Sequence, residues 1–154
     1  MVKRLLIIAH APSPNTLRLR EAALCGARSI QSDALEIVLR SPLETHADDA
    51  LTASAVILGT PENLGYMSGA LKDFFDRCYY PLLDKTAGLP NALYVRAGSD
   101  GTGTRRAVEA ITTGLKWRAF REPLILRGEW REEFVAQCEE LGQLAAAGLD
   151  AGVF

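Results

Sequence analysis

The chain has 154 residues and carries 17 Lys and Arg against 19 Asp and Glu, a formal net charge of −2. That length fits one domain with a sizeable core, and that charge supplies no long-range field for nucleic acid or an anionic membrane surface. With 48% hydrophobic and 23% charged residues, the composition is that of an ordinary globular protein, so any anion site must be built locally.

The chain opens MVKRLLIIAHAPSPNT. Two basic residues precede an apolar run, but Leu5 to Ala9 is shorter than the ~7–15-residue apolar region of a secretory signal, and no A-x-A site closes it. No run approaches the ~20 apolar residues that cross a bilayer. A cytoplasmic protein without membrane partners is expected. In chain order, short runs rich in Val, Ile and Leu at Arg4–Ala9, Ala34–Leu39, Ser54–Gly59, Ala92–Ala97 and Glu122–Arg127 read as strands. The first and third are nearly continuous in apolar residues, as strands buried on both faces of a parallel sheet are. Between and after them, helical spacing spans Thr16–Ile30, Met67–Leu83, Thr102–Trp117 and Glu129–Ala147, with Gly148 placed to cap the last helix. The segment from Arg40 to Leu51 is short and polar and gives the weakest helical signal. Alternation of strand and helix predicts a single α/β domain over residues 1–154, with a parallel sheet and helices on both faces.

Cys25, Cys78 and Cys138 are widely spaced on helical segments without a CxxC pair, which reads as small buried thiols in a reducing compartment. There are two histidines and no zinc signature, so no metal is expected. His10 ends the first strand and is expected as a hydrogen-bonded core or supporting residue; His46 is expected at the surface. No acid–base dyad or nucleophile stands out, so no catalytic side chain is assigned.

Ligands of an open α/β sheet bind at the carboxyl ends of the strands, and three loops there are unusual. HAPSPNT, His10–Thr16, is stiffened by two prolines and crowds Ser13, Asn15 and Thr16 at a helix start, which suits either helix caps or a phosphate site. It lacks both the GxxxxGK[ST] and the GxGxxG patterns. In GTPENLGYMSGALKDFFDR, Thr60–Pro61 is expected to end the strand. Glu62, Asn63, Leu64, Gly65 and Tyr66 follow, with a helix from Met67; Gly65 would admit backbone amides close to a flat ligand. AGSDGTGT, Ala97–Thr104, holds three glycines in six residues. Glu62 is expected as a solvated carboxylate, and Lys72–Asp76 and Asp73–Arg77 as i,i+4 pairs on a solvated helix face.

The three loops together resemble the flavodoxin-like FMN-binding superfamily, nearest to the NAD(P)H-dependent FMN reductases and quinone reductases. Thr60, Pro61, Gly65, Met67, Ser68, Gly69, Lys72, Phe74, Asp76 and Arg77 carry the specific part of the likeness, T-P-x-x-x-G-x-M-S-G-x-x-K-x-F-x-D-R. The resemblance implies a flavodoxin-like three-layer sandwich whose five-stranded parallel sheet has order 2-1-3-4-5, with FMN along the strand ends. It further implies that Ser13, Asn15 and Thr16 hold the FMN phosphate. Thr60, Pro61, Glu62, Asn63, Leu64, Gly65, Tyr66 and Met67 would line the ribityl chain and the isoalloxazine, and Gly98, Ser99, Asp100 and Gly101 its pyrimidine side. One departure stands out: Pro14 occupies a place where related phosphate loops often carry Gly, and it offers no N–H.

The implied activity is hydride transfer from NAD(P)H, through FMN, to a quinone, free flavin or similar small acceptor. An electron-carrier flavodoxin and a flavodoxin-like module that has lost its flavin are the alternatives; −2 is a poor match to the strongly acidic carriers. Trp117 and Trp130 lie on none of the three loops and are expected in the core or an interface. Tyr79, Tyr80, Pro81, Leu82 and Leu83 form an apolar rim that suits either a homo-oligomer contact or a buried helix end.

Overall fold

In the computed structural model, which describes residues 1–154, the chain begins with β1 (Lys3–Ala9), buried from Leu5 to Ala9. Successive side chains of a strand point to opposite faces. Leu5, Ile7 and Ala9 accordingly enter one core cluster, and Leu6 and Ile8 the other. α1 (Pro14–Arg28) starts two residues before the expected Thr16. Pro14 fits the first helical turn, where an N–H would have no partner anyway. β2 (Leu35–Arg40) pairs in parallel with β1. The weak polar segment after it forms a 3-10 turn at Pro42–Glu44 and a short α2 (Ala47–Leu51).

β3 (Ala55–Asn63) lies parallel to β1 and runs past the expected end at Thr60–Pro61. It folds back on β4 (Tyr66–Met67) as an antiparallel hairpin, Glu62 opposite Met67 and Asn63 opposite Tyr66. The two turn residues, Leu64 and Gly65, both have positive φ, 54° and 73°, as a type I′ turn requires. α3 (Gly69–Leu82) therefore starts at Gly69 rather than Met67, capped by the Ser68 hydroxyl, which accepts from Leu71 N–H. Lys72 and Asp76, and Asp73 and Arg77, pair as expected, and Arg77 also donates to the carbonyls of Pro42 and Thr45.

β5 (Pro90–Ala97) completes the centre of the sheet beside β3. α4 (Thr102–Gly114) stops short of Trp117, where Lys116 turns the chain with φ of 61°. The last place in the sheet is shared: β6 (Arg118–Ala119) pairs with Pro90–Asn91, and β7 (Leu124–Arg127) with Tyr94–Ala97. The parallel order β2-β1-β3-β5, followed by β6 and β7, is the expected 2-1-3-4-5 with a divided outer strand. α5 (Glu133–Ala151) begins and ends later than expected, and Gly152, at φ of 71°, caps it. Gly148 lies inside the helix with the Phe154 ring over it.

Helices α1 and α5 cover one face of the sheet, and α2, α3 and α4 the other. Leu82 is fully buried, which settles its part of the rim as core, whereas Tyr80 is 79% exposed. Trp117 is buried and donates its indole N–H to Thr86; Trp130 is half-buried. Cys78 and Cys138 are buried as expected, but Cys25 is exposed on α1. Burial pushes the Cys138 thiol up to about 12, so it is inert as a nucleophile. No helix is long and apolar enough to cross a membrane.

Candidate functional site

The carboxyl ends of β1, β3 and β5 form one edge, with Ala9 level with Gly59 and Pro61 level with Arg96. The first loop joins this edge through the His10 N–H, which donates to the Gly59 carbonyl. Beyond it, Ser13 and Thr16 close a reciprocal cap. Ser13 Oγ accepts from Thr16 N–H at 3.1 Å, and Thr16 Oγ1 accepts from Ser13 N–H at 3.0 Å. Thr16 is buried, while Ser13 and Asn15 are exposed. The Ala11 and Asn15 amides make no hydrogen bond within the protein. An anion at this helix start therefore finds the Asn15 N–H, the Asn15 side chain, the Ser13 hydroxyl and the positive end of a fifteen-residue helix.

The second loop is the hairpin. Thr60 is buried at its base: its hydroxyl donates to the Pro61 carbonyl and accepts from Ser68 N–H. Pro61 and Met67 are buried as well. Asn63, Leu64, Gly65 and Tyr66 project outward; Leu64 is fully exposed and Tyr66 40% exposed. The Gly65 carbonyl lies against Gly103, leaving no room there for a Cβ.

The third loop leans on the second. Glu62 accepts the Ser99 N–H on one carboxylate oxygen and the Gly101 N–H on the other, both at 2.9 Å. The expected solvated carboxylate is thus engaged, because two backbone donors converge on it from the neighbouring strand end. Asp100 accepts from Thr102 N–H at 3.0 Å, and its carbonyl accepts from Arg127 Nε at 2.6 Å. The Thr102 amide, with the nearby Arg127 guanidinium adding to it, holds the Asp100 carboxyl below its ordinary range. Burial alone holds the His10 imidazole below its usual value.

Ser13, Asn15, Asn63, Leu64, Gly65, Tyr66, Gly98, Ser99 and Asp100 thus lie at the surface of one sheet edge, while Thr16, Thr60, Pro61, Met67 and Gly101 are turned inward. A flat phosphorylated ligand such as FMN fits this donor set. Space stands open where a Cβ would project from Gly65 or Gly98, so backbone can approach a ring closely. An enclosed cavity of about 160 Å³ lies away from this edge, between β5, α4 and the segment around Trp117. The edge is an exposed ledge.

Sequence reasoning missed a cluster beside the first loop. Arg18 forms a two-point pair with Glu132 (3.0 and 2.7 Å), and the Arg18 and Arg96 guanidinium carbons lie 5.5 and 5.8 Å from the Trp130 ring centre. Arg96 also donates to the carbonyls of Ala97, Leu126 and Gly128. These partners come from α1, β5, β7 and the turn before α5, so no local spacing announces them.

A family model described as NADPH-dependent FMN reductase matches residues 30–121, which include the second and third loops. A flavodoxin of Aquifex aeolicus (strain VF5) is 30% identical over 112 residues, 73% of this chain and 60% of that protein. An NAD(P)H dehydrogenase (quinone) of Acidithiobacillus ferrooxidans (strain ATCC 53993 / BNL-5-31) is 30% identical over 94 residues, 49% of this chain and 47% of that protein. The chain thus spans 60% and 47% of the length of these curated relatives. Among solved structures, a flavodoxin from the domain Archaea aligns with a TM-score of 0.77 at 16% identity, over 96% of this chain and 99% of that one. An NADH:FMN oxidoreductase in its apo form aligns at 0.74 and 15%, over 96% and 90%. At those identities the structures speak for the fold alone, which is flavodoxin-like. The family model spans more than half of the sequence, and the chain belongs to the NADPH-dependent FMN reductase family.

Proposed function

We propose that residues 1–154 form a single flavodoxin-like domain that binds FMN on the ledge and passes hydride from NAD(P)H to a quinone, free flavin or similar small acceptor. The observation that carries this reading is the tie that Glu62 makes between the second and third loops at the strand ends. Family membership supports the same reading.

In this reading, the Asn15 amide, the Asn15 side chain and the Ser13 hydroxyl hold the phosphate. Thr16 holds Ser13 in place through the reciprocal cap rather than meeting the phosphate directly. The hairpin from Glu62 to Met67 offers backbone and the exposed Tyr66 and Leu64 to the ring, and the 98–101 loop borders its far edge. Thr60 fixes the base of the hairpin from beneath. Bound there, FMN supplies hydride acceptance and return; the protein supplies position and an open ledge on which a nicotinamide can stack. The reading includes a cytoplasmic homo-oligomer. Its support is the exposed Tyr80, which lines a groove with Phe75, Tyr79 and Ile111.

An FMN titration of the purified protein, followed by flavin fluorescence and the visible spectrum, tests the proposal. Saturable binding, followed by NAD(P)H oxidation that depends on added quinone or flavin, is the expected result. Absence of binding at high micromolar FMN overturns the oxidoreductase and leaves the fold.

A further inference from the structure

We propose that Glu62 is a positioning residue: its carboxylate clamps the 98–101 loop to the β3–β4 hairpin and so fixes the gap that receives the flavin ring. This rests on the FMN reading above for its ligand, but not for the clamp itself.

The clamp is set at both ends. Glu62 sits in the extension of β3, one residue beyond Pro61, which is in register with Arg96 of β5, and it is paired with Met67 across the hairpin. Its backbone is therefore held in the hairpin ladder, directly after the last pair of the β3–β5 ladder. The loop it grips is held by much less. Gly98 and Gly101 lie in it, Gly101 has φ of 73° and Gly98 has open space around it, and glycine is the residue with most backbone freedom to lose. Apart from Glu62, two bonds tie the loop outside itself, from Arg127 Nε to the Asp100 carbonyl and from the Arg105 N–H in the first turn of α4 to the Gly101 carbonyl; the Asp100 bond to Thr102 is local. Two N–H bonds to one carboxylate are charge-assisted and fix direction as well as distance. They reach across 37 and 39 residues of sequence to join the two strand ends that flank the ledge.

The geometry also says what the clamp leaves free. Ser99 and Gly101 give their amides to Glu62, and Thr102 gives its amide to Asp100. The amides of Gly98 and Asp100 make no hydrogen bond within the protein. The loop thus presents two donors to a ligand, and Glu62 decides where they stand.

The test uses the purified chain with and without FMN, in native, Glu62→Ala and Glu62→Gln forms. Gln puts an NH2 donor where one of the two accepting oxygens stands, so in this geometry it keeps an acceptor for one amide and should rescue part of the effect. In flavin-free protein, Glu62→Ala is expected to speed amide exchange at Ser99 and Gly101 at least tenfold while the β3 and β5 amides and the melting temperature stay near native. The FMN dissociation constant should rise at least tenfold in Glu62→Ala and by less in Glu62→Gln. Native-like exchange at both amides in Glu62→Ala, or an FMN affinity within twofold of native, overturns the proposal. Should the native protein itself reject FMN, the oxidoreductase reading falls on that result alone. The exchange data then decide the clamp, acceleration supporting it and native-like rates overturning it.

Discussion

On the α1–α5 face of the sheet, two helix backbones meet. A Cβ on Gly26 would strike the Glu139 carbonyl, and one on Gly142 the Ala23 carbonyl. Ala22, Ala27, Ala145 and Ala146 are buried in the core cluster on that face. On the opposite face the filling is done by large rings, Phe74, Phe75 and Trp117, and between α3 and α4 a groove lined by Lys72, Phe75, Asp76, Tyr79, Tyr80 and Ile111 remains open. The difference bears on the ledge. The first loop feeds α1, on the closed face, and is locked by its own cap. The second and third loops feed α3 and α4, whose spacing is set by side chains, and they rely on Glu62 to hold them together.

The largest test of this contrast is Phe74→Ala. Phe74 is fully buried, and emptying an aromatic site of that kind costs about 3–5 kcal/mol. In urea unfolding the midpoint should fall with the slope unchanged. A loss well below that range would mean that α3 collapses onto the sheet, and that this face is softer than its packing implies.

Gly142→Ala probes the other face, where the sign is the informative part. In a helix interior Ala is ordinarily better than Gly by about 1 kcal/mol. Here the added methyl meets backbone that no rotamer change can move, so a net loss of about 1–3 kcal/mol is expected. Gly69→Ala, in the first turn of α3 with nothing within 4 Å of the new Cβ, should instead gain about 0.4–1 kcal/mol. If both variants gain, the α1–α5 backbones stand further apart than the structure places them.

The next effect in size belongs to the first loop. Ser13→Ala removes the oxygen that accepts the Thr16 amide, for a loss of about 1 kcal/mol. The same change frees that amide toward the ledge. With the Ser13 hydroxyl on the phosphate, affinity and stability should fall together; an affinity that holds would make the hydroxyl a cap alone. Thermal unfolding and the FMN titration, run on one preparation, separate these.

How much of this was legible in the sequence follows from the range of each force. The buried runs of β1 and β3 and the ion pairs of α3 rest on spacing within a few residues, and they were readable. The hairpin was missed because Thr60–Pro61 looks like a strand end. Its type I′ turn places Leu64, a residue unusual at positive φ, where Asn or Gly is the common signal. The early start of α1 is legible in Pro14, whose ring suits a first helical turn as much as it removes a phosphate donor. Glu62 is the one carboxylate of its loop and reads as solvated, yet its partners lie on another strand end. Only the fold brings Ser99 and Gly101 to it.

The smallest effect concerns His10, where the closed and open faces share an edge. Burial disfavours its charged form and holds its folded value below the ordinary one of about 6.5. As pH falls below that ordinary value, the unfolded chain takes up the proton more readily than the folded one. Stability is therefore full above about pH 6.5 and declines as pH drops toward the depressed folded value. The carboxyls held low by hydrogen bonds, Asp100 by the Thr102 amide and Glu132 by Arg18, lose their contributions only below their own ordinary values, near pH 4. Unfolding measured between pH 7 and pH 5 keeps clear of the carboxyls, and comparing the native protein with a His10 variant there isolates this imidazole. His10→Gln, which carries no titrating proton, should lose less stability over that interval than the native protein. Equal losses would mean that water reaches the imidazole from the ledge, and that the carboxyl end of β1 is as open as the hairpin beside it.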